Sequence, residues 1–363
     1  MTTVCLAVMA KDEAAVLERC LASARPLVDA WLLLDTGSTD ATAAIAERTM
    51  EGLPGEVVHR PWRDFAESRT ESFELARSRG DYVLFLDADD RLEYPPGARF
   101  PELTEPAYAL LIHDGSLEYP RVQLVKSDLP WRFEGVRHEH AVCDGLGRPA
   151  LLDGIVYRRI GGGARSNDPD KYRKDAAELE ADLRRDPTNA RTVFYVARSY
   201  EDAGDLPRAL AHYERRLLMG GWDEELFYAA YRLGRVKEGL GFPHDQVAEV
   251  YARAWHLRPQ RAEPLFELAR LCREDGNWGR ARAYAAAAAA IPKPRGEVIF
   301  LHADVYDWRA LNEYAGASAQ VGDFAGAAEA CRQLLAGGRL PLAERGRVEA
   351  NLAWCLRSGN AKT

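Results

Sequence analysis

The segment Asp81 to Asp90, DYVLFLDADD, ends an unbroken apolar run in Asp87, Ala88, Asp89 and Asp90. Carboxylates gathered that closely repel one another and lose solvation unless a cation joins them. A hard divalent cation, Mg²⁺ or Mn²⁺, held by one or two carboxylates and by substrate phosphates, meets that need. The alternative is an aspartate-rich surface turn. Asp35 closes a second apolar run in LLLDTGSTDAT, where Gly37 permits a tight turn and Ser38, Thr39 and Asp40 suit a helix start. A carboxylate at such a strand end can accept a base N–H or ribose hydroxyls. Arg69, within FAESRTESFELARSRGD, offers a planar fork to a pyrophosphate or a base, or is a solvated helix charge. The polar turn in MAKDEA sets N–H groups and side chains beside a ligand, or only caps a helix through Asp12.

These residues need a frame that brings them to one edge. Val4–Met9, Ala30–Leu34, Val57–His59 and Tyr82–Leu86 read as short strands, the last too continuously apolar for a half-exposed one. Between them Val16–Leu21, Ala41–Arg48 and Glu67–Arg79 read as helices. Strand and helix alternating in this way predict a Rossmann-like, mostly parallel α/β sheet, with ligands beyond the carboxyl ends of the strands. After Pro95 the pattern loosens, and Tyr108–Ile112, Val122–Val125, Ala141–Cys143 and Ile155–Tyr157 are further strands, some of them antiparallel. Gly161-Gly162-Gly163 opens a connector, or a lid with Arg165, Lys171 and Tyr172, and Asp168 with Pro169 is the expected start of the next helix.

From there the chain reads as helical to its end. ARSYEDAGDLPRALAHY at Ala197–Tyr213 matches ARLCREDGNWGRARAY at Ala269–Tyr284, with Gly204 and Gly276 lying 72 residues apart. Copies at Tyr231–Trp255 and Tyr314–Leu334 fill the array. A period near 34 with small residues at helix contacts and glycine in the turn fits tetratricopeptide repeats; an irregular bundle is the alternative. The expected division is a sheet domain over 1–165 and a helical repeat domain over 166–363.

With 363 residues, 47% of them hydrophobic and 29% charged, the composition is that of a globular two-domain chain. A net charge of −8 argues against a general nucleic-acid binder. Six scattered cysteines without a C-x-x-C pair suit reduced thiols rather than zinc or a disulfide framework. No apolar segment approaches the roughly 20 residues of a membrane span, and the N-terminus lacks a signal-peptide pattern. A cytoplasmic protein without a membrane span is expected.

Taken in order, KDEAAVLERCLAS, DTGSTD, AESRTESFELARSRGDYVLFLDADD and WRFEGVRHEHAV at Trp131–Val142 resemble family 2 glycosyltransferases of the GT-A fold. The addition of tetratricopeptide-like repeats is similar to the subgroup that includes SunS-like peptide S-glycosyltransferases. The resemblance implies inverting transfer from a nucleotide diphosphosugar, usually a uridine one such as UDP-hexose, with Mn²⁺ or Mg²⁺. It implies that Ala10 and Asp35 sit at the nucleobase, Arg69 near base and phosphates, and Asp87 and Asp89 as the D-x-D of ribose and metal. Glu139 matches the glutamate of the family's histidine-glutamate pair and is the expected general base, with Asp114 as runner-up. His138 is a further metal ligand or orients the acceptor; the His138-Glu139-His140 tripeptide is otherwise only a polar strand or loop. Two departures stand out. Thr36 replaces an aspartate of the usual D-D-G-S-T-D, and VYRRIGGG places Arg158 and Arg159 where relatives often carry a metal-binding histidine. An arginine cannot bind a metal but can contact a diphosphate directly, and Arg159 is assigned to the donor site.

The function expected is glycosyl transfer to a peptide or protein side chain, since repeat arrays suit extended peptides or partner subunits, including a homodimer through the helices. Transfer to a small natural product or glycolipid is a second expectation. A non-catalytic repeat scaffold is a third, disfavoured by the intact Asp87, Asp89, Glu139 and Arg69. A nucleotidyltransferase would need a glycine-rich phosphate loop that MAKDEA does not supply.

Overall fold

The computed structural model describes residues 2–360. Its contacts divide the chain into two compact units, Met1–Ala203 and Gly204–Thr363. In the first, β1 (Val4–Ala10), β2 (Ala30–Asp35), β3 (Gly55–His59) and β4 (Tyr82–Asp87) run parallel. They are linked through α1 (Leu17–Ala24), α2 (Thr42–Thr49) and α3 (Phe65–Ala76). The strands then continue with β5 (Arg91–Glu93), β6 (Ala107–Asp114), β7 (Leu117–Lys126), β8 (Arg132–Glu134), β9 (His140–Val142) and β10 (Ala150–Arg158). The main sheet is ordered β3-β2-β1-β4-β7-β6-β10-β5, while β8 and β9 form a separate antiparallel pair. As expected past Pro95, β7 is antiparallel to both β4 and β6; β10, however, is parallel to β6.

Side-chain alternation makes the sheet two-faced. Leu6, Val8, Leu84 and Leu86 pack with Leu17, Leu21 and Ala46 of α1 and α2. Cys5, Ala7, Val83 and Phe85 pack on the other face with Phe73 and Ala76 of α3. Fully burying each such side chain contributes roughly 1.5–3 kcal/mol, so both helical layers hold the strand ends in place. In register, Ala10 pairs with Asp35 and Met9 with Asp87, which brings three of the sequence-selected positions to one edge.

After β10 come α4 (Lys171–Arg185) and α5 (Ala190–Asp202), and the first unit runs through both to Ala203 rather than ending near residue 165. The expected helix start at Asp168 and Pro169 is corrected. The α-helix begins at Lys171, and Asp168 instead accepts a hydrogen bond from the Asp170 N–H and pairs with Lys174. An aspartate satisfied by the residue two ahead makes a turn before the helix, not its cap.

The second unit is helical: α6 (Leu206–Leu218), α7 (Asp223–Gly239), α8 (His244–Leu257), α9 (Glu263–Glu274), α10 (Trp278–Ala290), α11 (Ala310–Gln320), α12 (Phe324–Ala336) and α13 (Leu342–Asn360). The glycines that marked the repeats, Gly204, Gly276 and Gly322, have positive φ, as does Gly241. The residues after three of them, Asp205, Asn277 and Asp323, cap the next helix by accepting an N–H from Arg208, Arg280 and Gly326. That pairing of a left-handed glycine with a polar cap ends one helix and starts the next within two residues. The spacing from Gly276 to Gly322 is longer because residues 291–302, outside any helix, come between α10 and a turn of π-helix at Val305–Arg309 that precedes α11. Among the described residues no helix is long and apolar enough to cross a membrane. All six cysteines are free, in keeping with the reading against a disulfide framework.

Candidate active site

At the end of β4, Asp87 receives three donors. Its Oδ1 pairs with Nη2 of Arg69; its Oδ2 lies 3.1 Å from Nη2 of Arg121 and accepts the Tyr157 hydroxyl at 2.9 Å. Burial alone would raise this carboxyl, but the charges of Arg69 and Arg121 and the hydrogen bonds of Arg69 and Tyr157 hold it far below the usual carboxylate range. The guanidinium of Arg121 lies 4.8 Å from the centroid of the Tyr157 ring, which fixes both against the carboxylate. Arg69 projects from α3, and its Nε donates to Oε1 of Glu139. One guanidinium therefore joins the D-x-D strand to the histidine-glutamate segment, 70 residues away from it in sequence. Desolvation would lower the Arg69 pKa, but Asp87 and Glu139 raise it.

Asp89 and Asp90 separate in role. Asp90 is buried; its Oδ1 accepts the Ile160 N–H at 2.9 Å and lies 3.4 Å from that of Gly161, anchoring the chain that leaves β10. Burial and the Asp87 charge raise its pKa. Among the described residues the Asp89 carboxylate meets only the N–H of Gly163, at 3.4 Å. Arg19 of α1 clamps the same place, donating to the carbonyls of Asp89 and Gly161. Glu13 lies beside them, and its two carboxylate oxygens are each 3.3 Å from the Ala164 N–H. Burial pushes the Glu13 carboxyl up to about 7, opposed by the Ala164 bond and reinforced by Asp89. Gly163 crosses here because a Cβ would stand 2.7 Å from Glu13 Oε2 and 3.1 Å from Asp89 Cβ.

At the other end of the edge, Asp35 is buried and accepts the N–H groups of Gly37 at 3.0 Å and Ser38 at 2.8 Å, with His59 Nδ1 3.0 Å from its Oδ2. Burial would raise its pKa; the Ser38 and Gly37 bonds and His59 bring it below the ordinary value. The Ala10 carbonyl accepts both the N–H and the hydroxyl of Thr36, so the residue in the place of the usual aspartate ties β1 to β2. Asp12, at φ +55, accepts from Thr39, while Glu13 and Ala14 donate to Thr42 and Asp40. The two loops expected to face a ligand are thus laced together.

Of the adjacent arginines, only one faces this cluster, because strand residues alternate sides. Arg159 donates to Asp114 at 2.7 Å and lies 3.9 Å from Asp90. Arg158 points the other way to Glu93, at 2.9 Å. His138, at φ +55, stacks on Tyr195 of α5 with centroids 4.0 Å apart. Desolvation, then the charges of Arg198, Arg191, Arg165 and Arg159, lower its pKa well below the ordinary histidine value.

Among the described residues no three His, Cys, Asp or Glu side chains converge as a cage for a metal ion. The donor set fits an ion that takes one carboxylate, Asp89, and most of its other ligands from phosphates and water. Sequence reading missed Arg121, Tyr157, Arg19 and Tyr195. For Arg121 there was a signal: it is a charge at the head of the apolar run Val122–Val125, within a strand. For Tyr195 there was none, since it reads as one more aromatic on an amphipathic helix.

Residues 5–109 match the family model described as glycosyl transferase family 2. A TPR repeat-containing protein of Synechococcus elongatus is 35% identical over 153 residues, covering 38% of this chain and 35% of that protein. An uncharacterized glycosyltransferase of Rickettsia bellii is 34% identical over 85 residues, covering 23% of this chain and 27% of that one. The matched stretch thus spans about a third or less of these curated relatives. Among solved structures, BtubC from P. vanneervenii is 15% identical over 54% of this chain and 85% of its own, with a TM-score of 0.41. MamA is 16% identical over 56% of this chain and 97% of its own, with a TM-score of 0.36.

Proposed function

We propose that this chain, which carries a glycosyl transferase family 2 domain at residues 5–109, moves a sugar from a nucleotide diphosphosugar, a UDP-hexose, to a peptide or protein side chain with inversion. The observation that carries the reading is the Arg69 bridge: Asp87 of the D-x-D strand and Glu139 of the histidine-glutamate segment meet at one guanidinium. An isolated aspartate-rich turn or a polar loop has no reason to converge in this way.

The roles follow from charge. The nucleobase lies toward Asp35 and the Ala10 strand end, and the ribose toward Asp87. Arg69 and Arg159 face the diphosphate, where planar guanidiniums bind phosphate oxygens in pairs. Mn²⁺ or Mg²⁺, when bound, neutralises charge on the departing diphosphate, and Asp89 is the carboxylate offered to it. Glu139 takes the acceptor's proton; its pairing with Arg69 aims its carboxylate. Asp114, tied to Arg159, is the second choice. The tetratricopeptide-like hairpins of the second unit suit an extended peptide or a second copy of the chain.

Incubating the purified chain with a panel of nucleotide sugars and Mn²⁺ tests the reading. Release of a nucleoside diphosphate from at least one donor supports it. No release and no thermal shift with any donor would leave the scaffold alternative in its place.

A further inference from the structure

Helix α1 carries three polar side chains, Arg19, Cys20 and Ser23, that hold the main chain leaving β4. Nη2 of Arg19 donates to the Asp89 carbonyl, and Sγ of Cys20 donates to the Asp87 carbonyl at 3.4 Å. One turn further on, the Ser23 hydroxyl accepts the Leu92 N–H at 3.0 Å. Successive residues of one helix therefore grip the carbonyls of both D-x-D aspartates.

Arg19 also reaches a second stretch. The same Nη2 donates to the Gly161 carbonyl at 3.0 Å, while Nε is buried without a partner among the described residues. Asp90 closes the clamp from the other side, its Oδ1 taking the N–H groups of Ile160 and Gly161. The main chain at Asp89 and at Gly161 is thus fixed, whereas the Asp89 carboxylate has one long contact, with the Gly163 N–H. A tightly held main chain beneath a lightly held carboxylate suits a group that accepts a ligand without reorganising its support. Two carbonyl dipoles converging beside three aspartates call for a charged donor at that point.

We propose that Arg19 is a positioning residue for the D-x-D turn: by tying the Asp89 and Gly161 carbonyls to one nitrogen, it sets the Asp89 carboxylate in place for the divalent cation of the nucleotide sugar. The clamp stands on its own geometry. Its purpose rests on the glycosyltransferase reading.

The test pairs two measurements on the full chain: amide hydrogen exchange over residues 160–164 without metal, and Mn²⁺ uptake, alone and with UDP, followed by electron paramagnetic resonance. In Arg19→Gln exchange is expected to quicken at least tenfold and Mn²⁺ affinity to fall at least tenfold. Arg19→Lys is expected to stay within about threefold of wild type in both, because one nitrogen makes both bonds and an ammonium supplies the donors without a fork. It serves if the glutamine variant does not fold, and a tenfold loss in it would itself contradict the geometry. Ser23→Ala removes a neighbouring α1 bond remote from Asp89 and is expected to leave both readings unchanged. Faster exchange with unchanged Mn²⁺ affinity, no change in either, or equal losses in Ser23→Ala would reduce Arg19 to structural support and overturn the proposal. A wild type that takes up no Mn²⁺, with UDP or without, overturns it as well. Mn²⁺ uptake that depends on Arg19 in a chain that turns over no donor would leave the clamp intact and remove the proposed function instead.

Discussion

Arg69 and Glu139 are joined through the arginine Nε, while the same guanidinium holds Asp87 through Nη2. All three side chains are largely shielded from water. Neither carboxylate is stable there without the cation, and the cation is not stable there without them.

Arg69→Gln leaves two shielded carboxylates facing one another without their shared partner. It is expected to lower unfolding free energy by about 3 kcal/mol, the range for removing one member of a buried pair. Urea denaturation measures this. A loss under about 1 kcal/mol would mean that Arg121 and Tyr157 suffice to hold Asp87.

Glu13 sets an alkaline-side dependence. Its folded pKa, near 7, lies above the unfolded value of about 4.3, so the folded state binds the extra proton between them. Stability attributable to Glu13 is therefore present below about pH 4 and is lost as pH rises to 7. Glu13→Gln keeps an acceptor for the Ala164 N–H and removes this loss. Melting temperatures of variant and wild type are expected to agree at pH 4 and to separate by pH 8, with the variant higher. Parallel curves across that range would contradict it.

Glu139→Gln is expected to reduce kcat by about 10²- to 10⁴-fold, the usual contribution of a positioned general base. Asp114→Asn, at the carboxylate that tethers Arg159, is expected to cost less than tenfold. Steady-state rates on one donor decide between them; the reverse order would make Asp114 the base.

In the helical unit, Gly234 of α7 faces the Tyr251 ring of α8, and an added Cβ would stand 2.4 Å from it. Gly234→Ala forces the two helices apart and is expected to destabilise by about 1–3 kcal/mol. Gly276→Ala, at φ +71, meets no neighbour within 4 Å and pays only for the left-handed backbone, about 1–2 kcal/mol. Thermal denaturation of both variants separates packing from backbone strain.

Much of the sheet edge was legible in the sequence because apolar runs that stop at an aspartate are local patterns. Asp35 and Asp87 needed only such a run and a turn to be placed, and Gly276 with Asn277 needed only a turn and a cap. For Arg121 only the charge within a strand was legible, not its partner, because Asp87 arrives through antiparallel pairing of β7 with β4, a contact that no spacing encodes. The reach of the first unit to Ala203 was hidden for a similar reason. Arg137 holds α4 through Asp175 and Glu178, and His138 stacks on α5, yet α4 and α5 have the same amphipathic pattern as the repeats that follow. The start of α4 was misplaced because Asp168 and Asp170 are both suitable residues, and the choice fell to a turn that pairs Asp168 with Lys174.

The most direct test of the function is nucleoside diphosphate release from the preferred nucleotide sugar, measured for wild type and Asp89→Ala at equal folded concentration, verified by circular dichroism. The expected result is turnover by the wild type and its loss in Asp89→Ala, whose fold is kept because Asp89 makes only a long contact with Gly163. Wild-type turnover by Asp89→Ala would contradict the assignment of the D-x-D strand as the floor of a nucleotide-sugar site.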